Sequence, residues 1–472
     1  MNRLSVIGRS ACELGRMIRA KELSSVEIVR DVLDRIHHLD PKINSFIRVR
    51  DEAALADAEA AQNEIVRGQC RGPLHGVPFA VKDIFDVRGI PTTAGSKVWR
   101  DFIPTRDAPA VQALRQAGAI LVGKLNMHEL AFGITSNNPH FGPTFNPWDL
   151  SASCGGSSSG SAAALAAGFV PLTLGTDSGG SIRIPSSLTG VVGLKPTYGL
   201  ISRKGVLPLA WSMDHVGPMA IYVEDVAAAL VMLHGRDIDL NRDSGFLEAH
   251  YRKHWPEHLK GIVIGVPTTF FYEDLREDIR TTVLASVKAM ESLGAKIEEI
   301  HIEGIDEADR AAYTVLFSEA ATSLEIHARQ HPHDVGEEVM ANVRAGMTIP
   351  ATRYIHAQRV RTKLLQELQE VFAKVDVLAV PGTMTDAHPI QAKQVELSSG
   401  KSVDVRTAMT RYTRYFNLAG NPVLSTPCGL SDRGLPVGMQ LVGKHFGEAK
   451  LLEVGFAYQQ AFPLKPLLPG LT

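Results

Sequence analysis

Three segments of this chain join side chains able to move a proton, or attack a carbonyl, to a backbone able to approach closely. Residues 151–160, SASCGGSSSG, place Ser157, Ser158 and Ser159 directly after two glycines. Residues 175–185, GTDSGGSIRIP, set Ser181 behind a glycine pair, with Asp177 and Arg183 flanking it. Residues 78–82, PFAVK, end on Lys82. A serine nucleophile needs a group to take its proton. The glycines of the second segment can turn several backbone N–H groups toward one point. There they would hold the negative charge that develops on a carbonyl oxygen, and losing one such donor costs about 3 kcal/mol. Asp177 and Arg183 could pin that loop as an ion pair.

Each segment alone has a plainer reading. A Gly/Ser run reads equally as a flexible linker. The second segment reads as a tight strand-to-helix turn with a capping serine, and Lys82 as a lysine that snorkels from a strand end. The linker reading is weakened because residues 151–160 lead straight into small helix formers, Ser161–Ala167, and then into an apolar run. For the base, His75, His128 and His140 sit in turn-like or helix-start settings with no triad context around them. Lys82 closes an apolar run, so burial would disfavour its charge and bring the neutral amine into range as a proton acceptor.

The elements that must position these residues follow from periodicity. The first 65 or so residues read as helices. Ser24 and Glu27 make a capping-box pattern ahead of Val29, Val32, Leu33 and Ile36 on one face, with Pro41 beyond the end. A second, alanine-rich helix fits residues 51–67 and stops at Gly68. From Pro78, short apolar runs at 78–82, 119–123 and 170–176 alternate with helical stretches such as 108–117. The alternation resumes after Asp225, with runs at 262–267, 296–302, 375–382 and 437–443 and a helix near 278–293. This predicts an α/β fold: one large domain with a central mixed twisted sheet covered by helices on both faces, and a helical N-terminal arm over residues 1–68 ahead of an α/β region over 69–472. Residues 303–400 carry the fewest landmarks and are the expected place for substrate-specific variation.

Composition narrows the function. The formal charge is −2, from 49 basic and 51 acidic residues, so no basic excess points to nucleic acid. Cys12, Cys70, Cys154 and Cys428 form no CxxC pair, which argues against a disulfide scaffold or a structural zinc site. No apolar run is long enough for a membrane span, and the first residues lack the apolar stretch of a signal peptide, so a cytoplasmic protein is expected.

The order GVPFAVKD, GGSSSGSAAA, GTDSGGSIRIP and GVVGLKPTYG (190–199) resembles the amidase signature family, with 75 residues from Lys82 to Ser157 and 24 from Ser157 to Ser181. The resemblance continues through GKLNMHELAFG (123–133), NPHFGPTFNPW (138–148), SMDHVGPMA (212–220), FNLAGNPV (416–423) and GLPVGMQLVG (434–443), and so covers nearly the whole chain. It departs from the family pattern at Ser159, where many members have glycine, and at Ser178, where threonine is common.

The resemblance implies a Ser–cis-Ser–Lys hydrolase: Ser181 as nucleophile, Ser157 as bridging serine behind a cis peptide bond, and Lys82 as base. It also implies an N–H cradle from Ser178, Gly179, Gly180 and Ser181, with Ala131 and Phe132 near the acyl pocket. No metal or cofactor is expected. The function expected first is a free-standing amidase on a small-molecule amide, with carbamates or esters also compatible. Its expected partners are that substrate and, through the helical arm, a second copy, with no nucleic acid and no membrane. The alternative is the glutaminase (A) subunit of a tRNA-dependent amidotransferase, and residues 380–443 favour the free-standing reading.

Other motifs carry less. Gly156–Gly160 satisfies G-x-S-x-G around Ser158, but the preceding DLSASCG is too polar for the strand an α/β-hydrolase elbow requires. Gly118–Lys124 fits GxxxxGK, yet Leu125 replaces the hydroxyl that would bind magnesium. Ser398 and Lys401 make an S-x-x-K without companion motifs.

Overall fold

Short runs of valine, isoleucine and leucine between glycine- and proline-containing turns build one sheet. The computed structural model describes residues 7–234 and 255–463. Its main sheet has eleven strands: β1 (Phe46–Val49), β2 (Pro78–Lys82), β3 (Ile120–Leu125), β4 (Leu172–Asp177), β5 (Val192–Lys195), β6 (His215–Ala220), β7 (Val263–Pro267), β8 (Lys296–Ile300), β9 (Val377–Pro381), β10 (Val423–Leu430) and β11 (Pro436–Gly443). Their order is β1-β3-β2-β4-β6-β5-β10-β11-β9-β7-β8. β3, β2 and β4 run parallel, as do β9, β7 and β8, while the strands between them pair antiparallel. The sheet is therefore mixed, as expected. β2 is buried along its whole length, which is why it reads as a continuous apolar run with no alternation.

The N-terminal arm supplies helices Ala11–Arg19, Ser25–Ile43 and Asp51–Val66, and Ser24 and Glu27 form the capping box. Pro41 lies inside the second helix rather than beyond it. It is in the last turn, where only one interior hydrogen bond is lost, and Asn44 closes the helix in the left-handed region with its N–H on the Asp40 carbonyl. The arm also adds a strand that periodicity missed, β1, paired antiparallel with β3 at the sheet edge.

Three further strands of the main sheet escaped the sequence reading. β5 is short, and β6 and β10 carry Pro218 and Pro427 within them, a residue that normally argues against a strand. The stretch with few landmarks holds the long helices Ile305–Gln330, Glu337–Met347 and Ala351–Phe372, which pack on one another. The small-residue helix Ser159–Ala166 is buried at every position. Its glycine matters because a Cβ on Gly160 would lie 2.4 Å from the Ser45 carbonyl oxygen. This Gly/Ser run is a close-packed joint, not a tether. No helix among the described residues is long and apolar enough to cross a membrane.

Candidate active site

The C-terminal ends of neighbouring strands β2 and β4 deliver Lys82 and Thr176–Asp177 to one place, and the loop before helix Ser159–Ala166 brings Ser157 against them. Lys82 Nζ donates to Ser157 Oγ at 2.8 Å and to Thr176 Oγ1 at 2.8 Å. Both Lys82 and Ser157 are fully buried. Burial brings the Lys82 amine down to about 7, against the opposing charges of Asp177 and Asp214. A lysine there is readily neutral near physiological pH. The Gly156–Ser157 peptide bond is cis.

The two serine loops are laced together. Ser158 N–H donates to the Ser181 carbonyl at 3.2 Å, the Ser158 hydroxyl donates to the Thr176 carbonyl at 3.2 Å, and His128 N–H donates to the Ser157 carbonyl at 3.1 Å. Ser158, the G-x-S-x-G candidate, is thereby spent on structure. The Ser181 hydroxyl makes no hydrogen bond among the described residues, and the residue keeps 7 % of its surface. It is the open end of the arrangement.

Asp177 and Arg183 form the expected ion pair, completely buried, with Arg183 Nε 3.0 Å from Asp177 Oδ2. Burial would raise the Asp177 carboxyl, but the Arg183 guanidinium and hydrogen bonds from Arg183 and Asn417 outweigh it and hold the group well below the usual carboxylate range. Arg183 is completed by the Thr413 carbonyl and Gln440 Oε1. Asp177 also takes the Gly180 N–H on Oδ1 at 2.7 Å. The expected four-donor cradle is corrected here: Gly180 N–H is turned onto the carboxylate that shapes the loop. The N–H groups of Ser178, Gly179 and Ser181 have no acceptor among the described residues. Gly180 is required for a different reason. Its φ is +127°, and a Cβ would lie 2.4 Å from Thr413 Oγ1.

A cavity of about 540 Å³ opens beside these groups, lined by Ala131, Thr176, Ser178, Arg203, Trp211 and Asp214 among others. Ala131 is thus at the cavity, reached through Leu130 and Ala131 in the left-handed region at φ of +51° and +56°. Phe132 is not in its lining. Its ring packs edge-on against Phe317 at 5.1 Å and its carbonyl accepts from Asn342. The three histidines set aside above are engaged elsewhere: His75 accepts from Arg71 N–H, His140 pairs with Glu129 at 2.7 Å, and His128 is buried against Thr135. Thr176 is the residue that sequence reasoning missed. Its signal was its place two residues ahead of the SGG turn, on the strand beside Lys82.

The model of the family described as Amidase matches residues 27–452. This chain belongs to the amidase family. Among its relatives, the A subunit of the glutamyl-tRNA(Gln) amidotransferase of Chromohalobacter salexigens is 39 % identical, over 96 % of this chain and 96 % of that protein. The A subunit of the same name from Geobacter metallireducens is 38 % identical, over 95 % and 96 %. One solved chain comes from a vestigial protein complex bearing on the evolutionary origins of an s-triazine catabolic enzyme. It superposes with a TM-score of 0.90 at 33 % identity, covering 97 % of this chain and 99 % of its own length.

These relatives overturn the preference for a free-standing small-molecule amidase, because the likeness to amidotransferase subunits runs through nearly the full length of both chains. The expected partner set falls with it: a small-molecule substrate and a second copy, without nucleic acid, is not what relatives named for a tRNA and for their place in a complex support. The error has a physical source. The motifs that suggested independence are internal scaffold in this chain: Asn417 holds Asp177, and Gln440, in β11, holds Arg183. Scaffold positions carry no information about assembly.

Proposed function

We propose that this amidase-family chain is the glutamine-hydrolysing subunit of a tRNA-dependent amidotransferase complex, with Ser181 as nucleophile, Ser157 as proton bridge and Lys82 as base. The chemistry rests on one observation above all: a fully buried amine, brought to about 7, donates to Ser157 Oγ and has no carboxylate in contact among the described residues. The place in a complex rests on the near full-length identity to amidotransferase A subunits.

In this reading the Ser181 oxygen attacks the side-chain amide carbon of glutamine. Its proton passes to Ser157, whose own proton passes to neutral Lys82. The carbonyl oxygen gathers negative charge against the free N–H groups of the 178–181 turn. As the tetrahedral species collapses, Lys82 returns its proton through Ser157 to the leaving nitrogen, and ammonia departs to a partner. Water then attacks the Ser181 ester, the same groups take and return its proton, and glutamate is released. Asp177, bound by Arg183 and Asn417, has no free role as a base and holds the turn in shape.

The test is purification of the chain alone and after co-expression with its neighbouring subunits, with ammonia release from glutamine measured in the presence of glutamyl-tRNA. The expected result is a stable complex whose glutaminase rate rises on assembly, and loss of that rate in Ser181→Ala. A chain that recruits no partner, and hydrolyses glutamine no faster with those subunits than without, would refute the assignment.

A further inference from the structure

Asp214 lines the cavity, yet the cycle above gives it no task. Its carboxylate accepts the Ser178 hydroxyl on Oδ1, the Ala210 N–H on Oδ1 at 3.0 Å and the Leu209 N–H on Oδ2 at 2.9 Å. Ser178 carries the first N–H of the turn that faces the nucleophile. Leu209 belongs to the cavity wall, which continues past Ala210 to Trp211, 72 % exposed at the loop's tip. One side chain therefore fastens the anion-facing turn to the wall of the substrate cavity.

The same loop is tied on its other side. Ser212 N–H and Oγ donate to Glu319 at 2.9 and 2.7 Å, and Arg361 donates to the Ser212 hydroxyl and carbonyl at 3.0 and 2.9 Å. Tyr354 donates to the same Glu319 at 2.8 Å. Glu319 belongs to helix Ile305–Gln330, and Tyr354 and Arg361 to helix Ala351–Phe372. Loop 209–214 thus runs from these outer helices to the turn that carries Ser178.

We propose that Asp214 is a positioning residue, which sets the Ser178–Ser181 turn through the Ser178 hydroxyl and so couples the shape of the 209–214 wall to the reactivity of Ser181. The inference rests on the catalytic reading of Ser181 given above. Its physical basis is that a donor cradle works only when held at the place the oxyanion will occupy. The Ser178 hydroxyl is the polar tether from that cradle to the wall, and any hydroxyl at the position can serve.

The experiment measures labelling of Ser181 by a sulfonyl fluoride on the full chain, which needs no knowledge of the substrate, together with kcat and KM for glutamine in the assembled complex. Asp214→Asn and Ser178→Ala should each lower the labelling rate about 10- to 100-fold, and the double variant should fall no further than Asp214→Asn alone. Ser178→Thr should recover most of what Ser178→Ala loses. The loss should fall on kcat, with KM within about threefold of wild type. Should Asp214→Asn not fold, the two Ser178 variants decide, since both leave the 209–214 loop fastened to the outer helices. Wild-type labelling at Ser181, with Ser178→Ala labelled within twofold of it, overturns this inference alone. So do effects that multiply in the double variant. Absence of wild-type labelling overturns the catalytic reading and this inference together.

Discussion

Lys82 and Lys124 stand on paired parallel strands, one register position apart, and both are completely buried. Burial lowers both amines. What each touches differs. Lys124 sits 2.8 Å from the Asp83 carboxylate and also donates to Thr92 Oγ1. Lys82 touches two hydroxyls, and the charges that oppose its fall, Asp177 and Asp214, are not in ion-pair contact with it. A carboxylate in contact favours the ammonium form. Hydroxyls satisfy either protonation state. The same residue type, in the same sheet, is a structural cation at one position and the proposed base at the other, and the partner decides which.

The sharpest way to break this comparison is Lys82→Met. As the proposed base, its loss should lower kcat for glutamine hydrolysis by about a thousandfold. Stability should move the other way. A lysine whose pKa falls from 10.5 to about 7 binds fewer protons folded than unfolded between those values, so it destabilises the fold at neutral pH. That cost is about 4 kcal/mol at pH 7, and losing the amine as partner of two buried hydroxyls returns about 2 kcal/mol of it. The variant should be about 2 kcal/mol more stable at pH 7 by equilibrium denaturation, with the gain shrinking as pH rises toward 10. A destabilised Lys82→Met would mean that the amine is a structural cation after all.

Lys124→Met should give the opposite sign. Removing this cation strands Asp83 in the core, a loss of about 3–5 kcal/mol. Asp83 also anchors the segment leading to the cavity: its carboxylate takes the Thr93 N–H, and its carbonyl the Ala94 N–H. Ala94 in turn accepts from Leu130 N–H. Adding Asp83→Asn to Lys124→Met should restore part of the stability, since the unpaired charge is then gone. If Lys124→Met proved as stable as wild type, the contrast drawn from the carboxylate would fail.

The pH profile sharpens the Lys82 side. The neutral amine is the active form, so kcat/KM for wild type should fall about tenfold per pH unit below about 7 and level off above it. A profile with no acid limb between pH 5 and 8 would contradict a lysine base in this setting.

How much of this was legible in the sequence follows from where each residue sits. Lys82, Ser157 and Ser181 lie in three segments that were each ambiguous alone, and their proposed roles came from the resemblance of those segments, taken together, to the amidase signature family. The Asp177–Arg183 pair followed from opposite charges across a short turn. The α/β layering was readable wherever a strand was a continuous apolar run, as in β2. It failed at β6 and β10, where Pro218 and Pro427 disguise central strands whose hydrogen bonds are supplied by neighbours on both sides. The commitment of the Gly180 N–H to Asp177 depends on how one turn closes, and composition does not encode that. Asp214 and Ser178 are 36 residues apart and meet only because β4 and β6 pair antiparallel. The likeness to amidotransferase subunits was the least legible feature, since the segments that seemed to speak against it turned out to brace Asp177 and Arg183.

Thr176→Val removes one of the two hydroxyls from Lys82 while leaving shape and burial nearly unchanged, which makes it the smallest and most informative change. An acceptor on the amine favours its charged form, so losing it should move the acid limb to lower pH by less than about one unit, the equivalent of one net hydrogen bond. The rate should drop about three- to tenfold, because Lys82 would then be oriented toward Ser157 by packing alone. Stability should change little, since the valine methyl replaces a hydroxyl whose partner amine still has Ser157. A limb displaced to higher pH would mean that the threonine oxygen stabilises the neutral amine, and the distinction between hydroxyl and carboxylate partners would then need another basis.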